Sequence, residues 1–323
     1  MKKIIALAVA SAFVAPVMAA DLTISGAMTY NYIDTDLADT DAGITTDDNK
    51  VVFSAVQELE SGLTVTGTFN IVQDTAAAGD TLQTQSSNLS IAGPFGKVTV
   101  GDTSNGLDAF GDYTDVSPVF GGFSGDGYDA PLAWQLPTIA EGLKIVVSTS
   151  PKGVNRTTEG SGTEAEAEGN GGSAYGLSFA PVAGVEVYYG KEEFDRDATN
   201  KHKTNAYGLK YAAGPFMIAY EAGSGTNVDD PTSTDSAADG DDLKYRGIAG
   251  TYSMGDIKVG FEMQEAKDKN ASEGTDKHID ATILFASYNL GGGLSVYAAS
   301  SNDDTNVAAQ KASSTAVGVS FAF

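Results

Sequence analysis

The sequence predicts an all-β fold, a 16-stranded antiparallel transmembrane β-barrel with short periplasmic turns and long external loops. Three observations predict it. Sixteen separate runs between residue 22 and the C-terminus read as strands with apolar residues at every second position, the faces being mixed in 82–92 and 278–289. The connections between these runs alternate between short, Gly-containing turns and long polar loops. No apolar run after residue 20 reaches even half of the ~20 residues that a membrane helix needs, while strands cross a bilayer with an alternating pattern that averages out.

The chain opens MKKIIALAVASAFVAPVMAA. Lys2 and Lys3 precede a mostly apolar stretch from Ile4 to Val14, Pro16 ends any helix formed there, and the small residue Ala19 stands just before the expected cut. Residues 1–19 therefore read as a secretory signal peptide, and 20–323 as one β-barrel domain. Of 19 basic residues, two lie in the leader, leaving 17 against 43 acidic residues and a charge of −26. That balance excludes an electrostatic nucleic-acid binder, which needs a basic face to release counterions. The absence of Cys excludes disulfide scaffolds and thiolate metal sites.

The first run sets the pattern. Leu22, Ile24, Met28, Tyr30 and Tyr32 alternate with Thr23, Ser25, Ala27, Thr29 and Asn31. Successive strand side chains point to opposite faces, so one face is apolar and the other small or polar. The predicted strands are 22–32, 50–59, 63–73, 82–92, 97–103, 129–136, 143–150 and 173–180, then 185–193, 203–212, 215–222, 243–254, 257–265, 278–289, 294–301 and 312–323. Seven short turns contain Gly, which supplies the positive φ of tight hairpins. Eight long connections cover about 33–49, 74–81, 104–128, 151–172, 194–202, 223–242, 266–277 and 302–311. A soluble sandwich has no reason to gather every short turn at one end. An outer-membrane barrel does, and lipid forbids the open sheet edges that a sandwich keeps.

The last strand places Val317, Val319, Phe321 and Phe323 on one face and ends on an aromatic residue. Phe95-Gly96-Lys97-Val98-Thr99-Val100-Gly101 occupies the fifth strand, and Tyr113-Thr114-Asp115-Val116-Ser117-Pro118-Val119-Phe120-Gly121-Gly122 follows in the third long loop. In these features the mature chain resembles the Gram-negative general porin family, trimeric barrels of 16 strands. The resemblance implies an integral outer-membrane protein of a Gram-negative bacterium, with Phe321 and Phe323 as a signal for the barrel-assembly machinery. It also implies a homotrimer and a third loop folded into the lumen. Val119 stands where the family has Glu, so one loop carboxylate is missing.

Sixteen strands enclose too wide a space for side chains to fill, so an aqueous channel is expected. The infolded loop 104–128 offers Asp108, Asp112, Asp115 and Asp126 with no basic residue, and Pro118, Phe120, Gly121 and Gly122 from the family-like segment. In the family, arginines face this loop across the lumen. Here the first four strands contain no Arg and only Lys50, with Gln83, Gln85 and Ser87 on the fourth. Parity assigns Lys97, Lys144, Lys210, Lys258, Glu58, Glu186, Glu221 and Glu262 to the pore wall. These walls are roughly balanced, so the loop aspartates are expected to tip the lumen towards cations, mildly, because a wet pore screens charge beyond about 8 Å.

Tyrosines near strand ends read as interface girdles, with some facing the lumen. The acidic clusters of loops 33–49 and 223–242 match no calcium-loop spacing and read as solvated loops. No cofactor is expected, although weak Ca²⁺ or Mg²⁺ binding there, bridging to lipopolysaccharide phosphates, is the alternative. The two histidines, His202 and His278, lie in no nucleophile elbow or zinc helix, and no enzyme is expected. The expected function is passive diffusion of small hydrophilic solutes and ions. The rival is a structural or adhesive surface barrel with a plugged lumen.

Overall fold

The structure is a computed structural model that describes residues 20–36, 41–74, 81–121, 130–151, 171–195, 201–228, 241–270, 275–305 and 312–323. The leader 1–19 lies outside the described residues. All sixteen predicted strands form. They are β1 (Asp21–Thr35), β2 (Gly43–Glu58), β3 (Thr64–Asp74), β4 (Thr81–Gly93), β5 (Gly96–Thr103), β6 (Ala130–Gln135), β7 (Leu143–Ser150) and β8 (Gly172–Val182). The second half comprises β9 (Val185–Asp195), β10 (Lys201–Ala213), β11 (Phe216–Val228), β12 (Asp241–Met254), β13 (Ile257–Asn270), β14 (Thr275–Gly291), β15 (Leu294–Thr305) and β16 (Ala312–Ala322). Each strand pairs antiparallel with its chain neighbours, and β1 pairs with β16, so the sheet closes with no free edge.

Several strands run further on the loop side than the apolar alternation predicts. β2 starts at Gly43, β13 reaches Asn270 and β14 starts at Thr275. In the β2 extension both faces are polar, as in Thr45 and Thr46. The hydrogen-bond ladder continues past the membrane boundary, where nothing requires an apolar face. On the opposite side the turns are tight. In the β6–β7 turn, Gly142 has φ 74, and a Cβ there would lie 2.5 Å from the carbonyl oxygen of Ala180.

The apolar parity faces outward. Leu22, Phe216, Met254 and Val317 are each more than half exposed, as a lipid-facing surface requires. Inward positions are small or polar, or carry a ring that lies over a glycine. Phe194 covers Gly172, Tyr188 covers Gly208, Tyr245 covers Gly223, Phe285 covers Gly260 and Tyr297 covers Gly318, each directly across the ladder. A Cβ at any of these glycines would come within 2.4 Å of a neighbouring heavy atom. Tyr188 and Tyr297 thus belong to the tyrosines that face the lumen, and both are buried. The buried apolar cluster of Leu107, Tyr113, Tyr188, Ala206, Ala219, Tyr245 and Ala266 sits inside the barrel, between the third long loop and the wall.

Candidate functional site

After β5 the chain turns inward and crosses the inner wall from β7 to β13. Asn105 starts the crossing. Its Oδ1 accepts the N–H groups of Leu107 at 2.6 Å and Asp108 at 3.2 Å, closing a local turn. Its Nδ2 donates to Glu192 Oε2 at 2.9 Å, and Glu192 Oε1 lies 2.7 Å from His202 Nε2. Gly106 N donates to Ser148 Oγ on β7 at 2.9 Å.

The wall is cut away to receive this segment. A Cβ on Gly176 would stand 1.8 Å from the carbonyl oxygen of Gly106, and one on Gly190 would stand 2.4 Å from Leu107 Cδ1. Gly176 and Gly190 face each other across β8 and β9, so together they form one groove. A strand-interior glycine commonly marks such a close backbone approach.

Asp112 is the one non-glycine residue with positive φ among the described residues, at 65°. Asp tolerates that region because its short side chain bonds locally. The kink aims the next N–H groups at the wall. Tyr113 N donates to Glu221 Oε2 at 2.7 Å, and Val116 N donates to Glu262 Oε1 at 2.7 Å. Ser117 N donates to the same Glu262 oxygen. The Tyr113 ring meets Tyr188 edge-on at 4.7 Å, and Lys210 Nζ lies 4.3 Å from its centroid. Lys258 Nζ reaches the Val116 carbonyl at 3.4 Å.

Glu192, Glu221 and Glu262 thus stand on alternate strands, β9, β11 and β13, all pointing inward and all buried. Four strand spacings make about 19 Å between the outer two. A buried carboxylate is costly unless hydrogen-bonded, and charge-assisted bonds to N–H groups are among the stronger kind. Each glutamate therefore ties the loop at one point. This corrects the pore-wall assignment of Glu221 and Glu262. Parity places them inward correctly, but the loop covers them, so they anchor it rather than line open lumen.

A family model described as a Gram-negative porin matches residues 6–323. The chain belongs to the Gram-negative porin family. No curated protein sequence matches it. Solved structures share its fold at low identity. Salmonella typhi OmpF, in complex with daunomycin, is 15% identical with a TM-score of 0.75, covering 94% of this chain and 98% of that one. The trimer form of Vibrio cholerae OmpT is 14% identical with a TM-score of 0.69, covering 94% and 100%. An anion-selective porin from Comamonas acidovorans is 12% identical with a TM-score of 0.66, over the same shares.

In this porin the remaining site residues divide by position. Asp112 and Asp115 are exposed on the loop and, with Lys144, Glu186 and Lys210, line a recess of about 410 Å³ under it. Glu186 pairs with Lys210 at 3.0 Å and accepts from Ser178 Oγ at 2.8 Å. Lys97 and Glu58 lie exposed near the short turns, Lys97 opposite Gln135 and Glu58 opposite Thr64. Asp108, Pro118 and Phe120 are half-buried on the loop, and Gly121 is exposed. Gly122 and Asp126 lie outside the described residues.

The wall across from the loop is mostly uncharged, with amides and hydroxyls among small apolar residues, and Lys50 is its basic group on β1 to β4 among the described residues. Asn31, Ser54, Thr68, Asn70, Ser86 and Asn88 share the inward parity of β1 to β4. Ser87 points outward, opposite Phe69, which corrects its expected place on the wall. The side chains of Gln83 and Gln85 lie outside the described residues. Asn105, Glu192 and the glycine groove are not singled out by sequence, and His202 enters there only as a histidine outside any catalytic pattern. Their signal is parity, since Glu192, Glu221, Glu262, Gly176, Gly190 and Gly208 all fall on the inward face. His278 faces outward opposite Lys267, not a serine.

Proposed function

We propose that this outer-membrane porin lets small hydrophilic solutes and ions diffuse passively, with a mild preference for cations. The carrying observation is the loop's path. Its described residues lie flat against β7 to β13 and are tied there by three buried glutamates, which leaves the lumen on the β1–β4 side. The cation preference rests on Asp108, Asp112 and Asp115 of the loop, set against a β1–β4 wall that is mostly uncharged and has Lys50 as its one described basic group. Lys144 and Lys210 lie beside two of these carboxylates and keep the preference mild. Fold alone does not set the sign, because the anion-selective Comamonas porin has the same one.

A homotrimer fits the outer surface. β2 to β5 contain neither Tyr nor Trp, while β1, β6 and β8 to β12 do. A girdle interrupted over four consecutive strands indicates a face that meets protein instead of a lipid interface. Gly67 on β3 is a small residue within that face and leaves room there. Removal of the leader on export, delivery by the barrel-assembly machinery and contact with lipopolysaccharide complete the reading.

A planar-bilayer recording of the folded protein tests it. A steady open conductance in clusters of three is expected. A folded barrel with no conductance would point instead to the plugged surface barrel.

A further inference from the structure

The recess under the loop combines both signs of charge with an apolar wall. It encloses about 410 Å³, towards the lower end of the roughly 300–1,000 Å³ of small-molecule sites. Its depth along the barrel follows from the strands that line it. Lys144 is the second residue of β7, Glu186 the second of β9 and Met217 the second of β11, so each stands next to a short turn. Short turns of such barrels face the periplasm, which places the recess on the periplasmic side of the loop. A second cavity of about 660 Å³, lined by residues 180–184 of the β8–β9 hairpin, shares Glu186 and Lys210 with it. That pair therefore stands between the recess and the periplasmic rim.

The charges sort into a pair closed on itself and a set open to solvent. Lys210 is committed within the recess, with its Nζ 3.0 Å from Glu186 Oε2 and 4.3 Å from the Tyr113 ring centroid. Lys144 is exposed and enters no ion pair among the described residues. Asp112 and Asp115 are exposed on the loop beside it. An anion drawn to Lys144 meets two carboxylates, and a cation drawn to the carboxylates meets an ammonium group. Opposed like charges reject a ligand while complementary ones select it, so a solute carrying both signs fits where either sign alone does not. Phe110 and Met217, both half-buried, supply the apolar wall. A mostly apolar lining with a few placed polar groups is the usual make-up of a small-molecule site.

We propose that this recess is a binding subsite for small zwitterions that carry an apolar group. The carboxylate lies on Lys144, the ammonium group towards Asp112 and Asp115, and the apolar group on Phe110 and Met217. α-Amino acids with an apolar side chain are the class that matches. The proposal rests on the diffusion reading for the route by which solute arrives, and adds a place where one class of solute dwells. The recess lies against β7 to β11, away from the β1–β4 wall.

The test is a titration of the folded barrel in mild detergent, read by saturation-transfer NMR of the added solute with empty micelles as the blank. The probes are phenylalanine, phenethylamine, which lacks the carboxylate, and hydrocinnamate, which lacks the ammonium group. The parent is expected to bind phenylalanine saturably and several-fold more tightly than either analogue. Lys144→Gln should weaken phenylalanine binding roughly tenfold, as for one lost charge-assisted hydrogen bond, while phenethylamine binds at least as well as to the parent. Lys144→Arg should retain binding. The combined Asp112→Asn and Asp115→Asn variant should lose phenylalanine and gain hydrocinnamate, and Asn tolerates the positive φ at residue 112. Lys97→Gln makes the same charge change at the second residue of β5, outside the recess, and should leave the affinity at the parent's value. Heat-modifiable gel mobility reports that each variant is folded. Equal binding of phenylalanine and either analogue, parent-like affinity in Lys144→Gln, or an equal loss in Lys97→Gln each overturns the subsite. A parent without conductance in a planar bilayer overturns the proposed function and leaves the binding result standing.

Discussion

Glu262 is fully buried on the inner wall, and its Oε1 accepts the N–H groups of Val116 and Ser117. Gln264 Nε2 donates to the other oxygen at 3.2 Å. Hydrogen bonds to a charged acceptor contribute about 1.5–3 kcal/mol each, and a buried donor left without one costs about 1–3 kcal/mol. Glu262→Ala removes the acceptor and leaves two loop N–H groups facing a void. We expect the middle of the loop to lift from the wall, seen as greater open-channel noise and faster protease cleavage between residues 113 and 121. Glu262→Gln keeps one acceptor oxygen and should fall between Ala and the parent. Parent-like noise and cleavage in the Ala variant would show that the glutamate is not an anchor. The sequence makes the inward direction of Glu262 legible through period-two parity. What covers it is not legible, because parity assigns a face and says nothing about which distant segment packs there.

At the scale of single elements, the sixteen strands and their turns are legible because lipid imposes an apolar face on each crossing. Legibility fades where that demand ends. Thr45 to Asp48 belong to β2, and residues 266–270 to β13, although their polarity reads as loop. The glycine groove is equally silent, since Gly176 and Gly190 look like weak strand positions until Gly106 and Leu107 are placed on them. The last strand carries its own prediction. Gly26 N donates to the Phe323 carbonyl at 2.9 Å, and Phe323 N donates to the Gly26 carbonyl at 3.1 Å. The Phe323 ring lies over Gly26 and stacks on Phe321 at 5.7 Å. Deleting Phe323, or changing it to Asp, removes the final rung that closes β16 on β1 and its aromatic cover. Membrane fractionation should then show normal export with strongly reduced outer-membrane barrel. Parent levels in the outer membrane would contradict this.

Across the whole molecule, charge is distributed by compartment. Exposed carboxylates sit on the inner loop, a mostly uncharged wall with Lys50 lies across from it, and the described outward basic groups occupy one external band. Composition gives the total, −24, but only the closed topology shows which groups share the lumen. A focused negative potential raises local cation concentration, and salt weakens it as the screening length falls below about 8 Å. The zero-current potential across a planar bilayer under a potassium chloride gradient tests this arrangement most directly. It should be taken for the parent and for the combined Asp108→Asn, Asp112→Asn and Asp115→Asn variant. The account predicts a small cation-selective potential in the parent, shrinking as salt rises, and a shift towards zero or towards anions in the variant. An anion-selective parent, or a variant whose potential equals the parent's, would contradict it.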